Sequence, residues 1–259
     1  MTETARHPAD QADQVVPVVR ADTTDPGDPA DTRDPADPAD PGDPADPAGR
    51  LPAGPADGRD GPRSVAELVA RSAAGERHKY LYFWGHRPRP DGSVGHGCFS
   101  QWWPAPIEAD GVRYATAEHW MMAGKAALFG DAEARRRVLA AGHPRQAKEI
   151  GRSVRGFEER VWAEHRFELV VRGSVLKFGQ HPELGRYLLG TGARVLVEAS
   201  PVDRVWGIGL ASDDERAADP ARWCGLNLLG FALMEARQRL ASGEAGPSGA
   251  ADTTAAGAR

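Results

Sequence analysis

Residues 1–62 limit what this chain can build. They hold 12 of its 21 prolines, in a degenerate repeat such as Asp34-Pro35-Ala36-Asp37-Pro38, and contain no aromatic residue. A segment of Asp, Pro and Ala buries too little apolar surface to offset the entropy of ordering it. Residues 243–259, rich in Gly, Ala, Ser and Thr, read the same way. The expected organisation is a disordered Asp/Pro/Ala-rich tail over 1–62, one domain over 63–242, and a disordered C-terminal tail over 243–259. About 180 residues is a usual size for one domain with one core.

The same partition changes the meaning of the charge. The whole chain carries −5, but residues 1–62 carry −9 and the expected domain carries +5. A mildly basic domain suits a phosphate-bearing ligand or nucleic acid. Two cysteines, Cys98 and Cys224, are too few for a disulfide framework and lack metal-ligand spacing. No apolar run approaches membrane-spanning length and no signal core opens the chain, so the expected location is cytoplasmic, with no membrane partner and no protein partner evident.

Within the domain, Tyr80-Leu81-Tyr82-Phe83-Trp84 reads as a strand. Asp110-Gly111 marks a hairpin turn between short strands. Thr116 is an N-cap for a helix from Ala117 to about Phe129, stopped by Gly130. Further helices are expected over Ala132–Ala141, Arg145–Gly151, Phe157–Phe178 (with a bend at Gly173) and Pro182–Leu189. A strand follows at Val195–Glu198, and a last helix from Asn227 to about Leu240. The expectation is an α+β, mainly α-helical domain with a few short strands.

Glu118 and Lys125 are seven apart on one predicted helix, on nearly the same face and about 10 Å apart along the axis. A carboxylate and an ammonium so spaced cannot pair directly, but both can reach one substrate. Zinc chemistry of the His-Glu-x-x-His kind is excluded by the order Glu118-His119, and His119 points aside towards a core role. Asp203 and Trp206 share a loop in which Pro201, Gly207 and Gly209 permit tight turning or close approach to a ligand. Gly207-x-Gly209 lacks the third glycine of a dinucleotide fingerprint. An aromatic beside a carboxylate suits a ribosyl heterocycle.

Six collinear segments then carry a resemblance. They are Phe99-Ser100-Gln101-Trp102; Thr116-Ala117-Glu118-His119-Trp120 through Lys125; Ala147 to Gly151-Arg152; Trp162 with Lys177-Phe178; Val197-Glu198 through Asp203 to Trp206-Gly207; and Gly225-Leu226-Asn227-Leu228-Leu229-Gly230 to Leu233-Met234. In this order they resemble the NADAR (YbiA-like) family over about residues 80–240. Gln101-Trp102 departs from the common Asn-Phe, and the 85–97 loop is a variable region.

The resemblance implies a YbiA-like single domain that hydrolyses the N-glycosidic bond of a phosphorylated ribosyl compound. Two substrate classes are implied: ADP-ribose on guanine of nucleic acid, and phosphoribosyl intermediates of riboflavin biosynthesis. It implies Glu118, Lys125 and Asp203 as catalytic residues. Phe99, Ser100, Trp102, Arg152, Trp162, Trp206, Gly207 and Asn227 are implied as substrate-binding, with no metal and no cofactor. The alternative reading is a non-catalytic ADP-ribose- or NAD-binding module.

Breaking such a bond develops positive charge at the anomeric carbon, which a nearby carboxylate stabilises. Glu118 or Asp203 can do this and activate water while Lys125 places phosphate. Alternatively, a neutral Lys125 can capture the opened sugar as a Schiff base.

Overall fold

The computed structural model describes residues 61–243. Apart from residues 61, 62 and 243, the two expected tails lie outside the described residues. Seven α-helices and four short strands occur among the described residues. They are α1 (Val65–Ala73), β1 (Tyr80–Phe83), β2 (Ile107–Ala109), β3 (Val112–Tyr114), α2 (Ala117–Leu128), α3 (Ala132–Ala140), α4 (Pro144–Arg152), α5 (Glu159–Gln180), α6 (Pro182–Gly190), β4 (Val195–Glu198) and α7 (Leu228–Ala241). This is the mainly helical α+β domain that the sequence implies.

The strands form two separate pairs. β1 and β4 are parallel, with Tyr80 opposite Val195 and Phe83 opposite Glu198. Val195, Leu196 and Val197 are all buried, as expected of a strand covered on both sides. β2 and β3 form the hairpin announced by Asp110-Gly111, whose φ values of 52° and 73° provide the two left-handed positions of a tight turn.

α2 lies at the centre, packed on α3, α4 and α5, while α5 packs on α7 and α7 on β4. Thr116 caps α2 by accepting the His119 N–H, and Gly130 follows its end at φ 69°. α5 runs through Gly173 as 22 continuous residues. Glycine is there for packing, because a Cβ would stand 2.5 Å from Cδ1 of Trp120. The Trp120 indole crosses at this point to donate to the Leu169 carbonyl at 2.9 Å.

α1 has no counterpart in the sequence reading. Its start carries a Ser64-x-x-Glu67 cap, with Ser64 Oγ accepting the Glu67 N–H at 3.1 Å. Val65, Leu68 and Val69 stand at helical spacing on one face, with Leu68 buried and Val65 packed against the core.

Candidate active site

The site is built where the first turn of α2 meets a strap, residues 96–102, that precedes the hairpin. His96–Phe99 form one 3₁₀ turn, and Lys177 of α5 donates to the carbonyls of Cys98 (2.6 Å) and Ser100 (2.7 Å). Ser100 Oγ accepts the Trp102 N–H at 3.1 Å, and the Gln101 carbonyl accepts the Glu118 N–H at 2.9 Å. The strap therefore satisfies an amide at the α2 N-terminus and sets Trp102 beside Glu118.

Glu118 is 3 % exposed, and its Oε1 has no hydrogen-bond partner among the described residues. Burial, opposed chiefly by Lys148 and by the Trp102 indole N–H, raises its carboxyl to about 7. Asp203 adds to the rise and Arg152 opposes it. Five groups from four segments thus converge: Glu118 from α2, Trp102 from the strap, Lys148 and Arg152 from α4, and Asp203 from the loop after β4. A carboxyl poised near 7 can give or take a proton at neutral pH.

Each neighbour is held by its own local structure. Lys148 and Arg152 are four apart on α4, so they share a face. α4 comes close to α2 because Gly151 faces Met122, where a Cβ would stand 2.0 Å from Sδ. Asp203 Oδ1 accepts the amides of Val205 (2.8 Å) and Trp206 (2.7 Å), which fixes the loop. Trp102 is half-buried between two imidazoles, its ring centroid 5.6 Å from that of His86 and 5.9 Å from that of His143. Trp103, by contrast, packs against the core and leaves this cluster.

The other expected residues divide into those that border the site and those that frame it. Arg152 is exposed and Trp206 half-buried. Phe99 has 0 % exposure, with its ring packed among Phe83, Phe178 and Tyr187, so it is a core residue and not a substrate contact. Asn227 also has 0 % exposure: its Oδ1 accepts the Glu198 N–H and its Nδ2 donates to the Leu196 carbonyl, both at 2.9 Å. Each end of its amide is bonded to β4 and the side chain is fully buried, so it faces the strand and not a ligand. A Cβ on Gly207 would meet the Glu198 carbonyl at 2.8 Å, so backbone packing, not close approach of a ligand, demands this glycine. Ser100 is committed to the strap, as described above.

Trp162 is buried, and the Lys125 ammonium stands 5.5 Å from its ring centroid and 4.1 Å from that of Phe157. Trp162 thus underlies Lys125 and is not open to a substrate base. Lys125 is not among the main charges acting on Glu118, whose cations come from α4 instead. Lys148 is not among the expected site residues, although its stripe with Arg145 and Arg152 on α4 was a usable signal. His119 is 1 % exposed; its Nδ1 meets Thr116 Oγ1 at 2.8 Å and its Nε2 meets the Ala141 carbonyl at 3.1 Å. No helix among the described residues is long and apolar enough to cross a membrane.

Comparison with known proteins agrees with this architecture. The NADAR domain family matches residues 82–241. N-glycosidase R617 of Acanthamoeba polyphaga mimivirus is 38% identical over 168 residues, 63% of this chain and 97% of the relative. The chloroplastic riboflavin biosynthesis protein PYRR of Zea mays is 33% identical over 156 residues, 56% of this chain but 23% of that protein. The NMR structure of the Escherichia coli protein YbiA superposes with a TM-score of 0.52 at 28% identity, covering 65% of this chain and 89% of that one. Matched over most of its described length, the chain belongs to the NADAR domain family.

Proposed function

We propose that this chain, a hydrolase of N-glycosyl compounds, cleaves the bond between a phosphorylated ribose and a nitrogen heterocycle. The observation that supports this best is Glu118: a buried carboxyl at about 7, with two cations, an indole and a second carboxylate around it. In this reading Trp102 stacks the heterocycle while Lys148 and Arg152 hold phosphate. Asp203 stabilises the developing oxocarbenium charge. Glu118 moves the proton that either the departing nitrogen or the attacking water requires. A module that only bound ADP-ribose would gain nothing from a carboxyl held at this protonation balance.

Lys125 acts in this reading as a cation. Its ammonium lies against two aromatic rings, an arrangement that favours the charged form over the neutral amine a Schiff base requires. Borohydride added during turnover is therefore expected to trap no sugar on Lys125. A lysine adduct at residue 125 in peptide mass spectrometry would reverse this assignment.

Of the two substrate classes, ADP-ribose on guanine of nucleic acid is favoured over a phosphoribosyl intermediate of riboflavin biosynthesis. The favouring feature is the net +5 of residues 63–242 inside an acidic chain. The test is incubation with each substrate class, with the released base and sugar resolved by mass spectrometry. For a nucleic-acid substrate, kcat/KM falls steeply from low to moderate salt, because several counterions are released on binding. A flat salt profile with no ADP-ribose released from modified DNA would assign the small metabolite instead.

A further inference from the structure

The functional reading leaves one buried ionisable group without a role. Lys177 has 0 % exposure in the middle of the domain, a placement that is costly for an amine unless its donors are used. Both of its hydrogen bonds go to the strap, at 2.6 Å to the Cys98 carbonyl and 2.7 Å to the Ser100 carbonyl. From Ser100 the connection continues through its Oγ to the Trp102 amide at 3.1 Å. From the next residue, the Gln101 carbonyl takes the Glu118 amide at 2.9 Å. A chain of short polar contacts therefore runs from the α5 interior to both the backbone of Glu118 and the indole beside its carboxyl.

We propose that Lys177 is a positioning residue for Glu118: its amine holds the strap whose Gln101 carbonyl takes the Glu118 amide and which sets Trp102 beside the Glu118 carboxyl. The proposal rests on the N-glycosidase reading for its kinetic consequence, but its structural consequence stands apart from any substrate. Burial lowers the Lys177 amine to about 7, and a neutral amine has two N–H bonds to match two carbonyls. Lys177 is not among the main charges acting on Glu118, so any effect of its removal on that carboxyl travels through the strap.

The test uses two variants of the full chain, Lys177→Met, which keeps length and removes both donors, and Lys177→Gln, which keeps an amide donor. Glu118 is titrated by carboxyl ¹³C NMR in glutamate-labelled protein, its resonance identified by its loss in Glu118→Gln. A slackened strap draws the Trp102 indole away from the carboxylate it favours, so the Lys177→Met midpoint moves up by at least about half a unit. With substrate, kcat falls by about tenfold or more while KM changes less than about threefold. Lys177→Gln restores part of both.

A lower melting temperature with the Glu118 midpoint and kcat unchanged would overturn the proposal, reducing Lys177 to a core filler. Loss of the fold in both variants would overturn it as well, since Lys177 would then be a determinant of folding alone. If the wild-type chain releases no base from either substrate class, the N-glycosidase reading fails, and the carboxyl titration still decides the role of Lys177.

Discussion

Replacing Glu118 by Gln leaves the domain folded and lowers turnover of an N-glycoside by about 100-fold or more. The change keeps the side-chain volume in a site that is 3 % exposed, so packing is conserved. It removes a carboxyl at the site whose proton is balanced at neutral pH. Stability provides an independent check on the same residue. Burial raises the folded carboxyl to about 7 from an ordinary value of 4.5, so between those values the folded state binds more protons than the unfolded one. Its contribution to stability is complete below about 4.5 and is lost as pH rises through about 7. Denaturant unfolding measured across that window should therefore slope downwards in the wild-type chain and be flatter in Glu118→Gln. A variant that kept more than about a tenth of the wild-type rate would make Glu118 a helix-end acid and not a catalyst.

The parts of the fold written in local signals were legible. The Asp110-Gly111 turn, the Thr116 cap and the Pro182 start each depend on a few adjacent residues, and the corresponding elements lie within a residue or two of expectation. α1 was missed although the Ser64-x-x-Glu67 cap and the Val65, Leu68 and Val69 stripe behind it were usable signals. At Gly173 propensity registers the missing side chain and not the Trp120 ring that fills the space.

The site was legible in part, for a related reason. Glu118, Trp102, Asp203 and Arg152 do converge, and the resemblance named all four. The seven-residue spacing of Glu118 and Lys125 suggested a shared substrate, but spacing on one helix says nothing of what packs above it. α4 covers the Glu118 end with Lys148 and Arg152, while Phe157 and Trp162 receive Lys125. Phe99 and Asn227 lie in recognisable motifs for reasons of architecture: one fills the core, and the other ties α7 to β4. A motif shows that a residue is constrained without showing what constrains it.

The closing glycine motif supplies the largest stability effect. In Gly230→Ala, the new Cβ would stand 2.1 Å from the Leu196 carbonyl and 2.6 Å from both amide atoms of Asn227. Leu196 is strand backbone in the buried β4, so it cannot rotate aside, and α7 must lift away from β4 to make room. Lifting it breaks the Asn227 bonds to Leu196 and Glu198, leaving buried polar groups unsatisfied. Overpacking together with the lost bonds should cost about 3 kcal/mol or more. That corresponds to a fall in melting temperature of about 6–12 °C for a domain of this size. Gly190→Ala is the matched control, because its Cβ would meet nothing within 4 Å. Activity should fall in the same variant, since the amides of Asn227, Leu228 and Leu229 donate to the carbonyls of Gly207, Val205 and Trp206. The loop that carries Asp203 therefore moves with the start of α7. If Gly230→Ala melted within about 2 °C of Gly190→Ala, α7 would not be clamped to β4 as described, and the placement of Asp203 would lose its support.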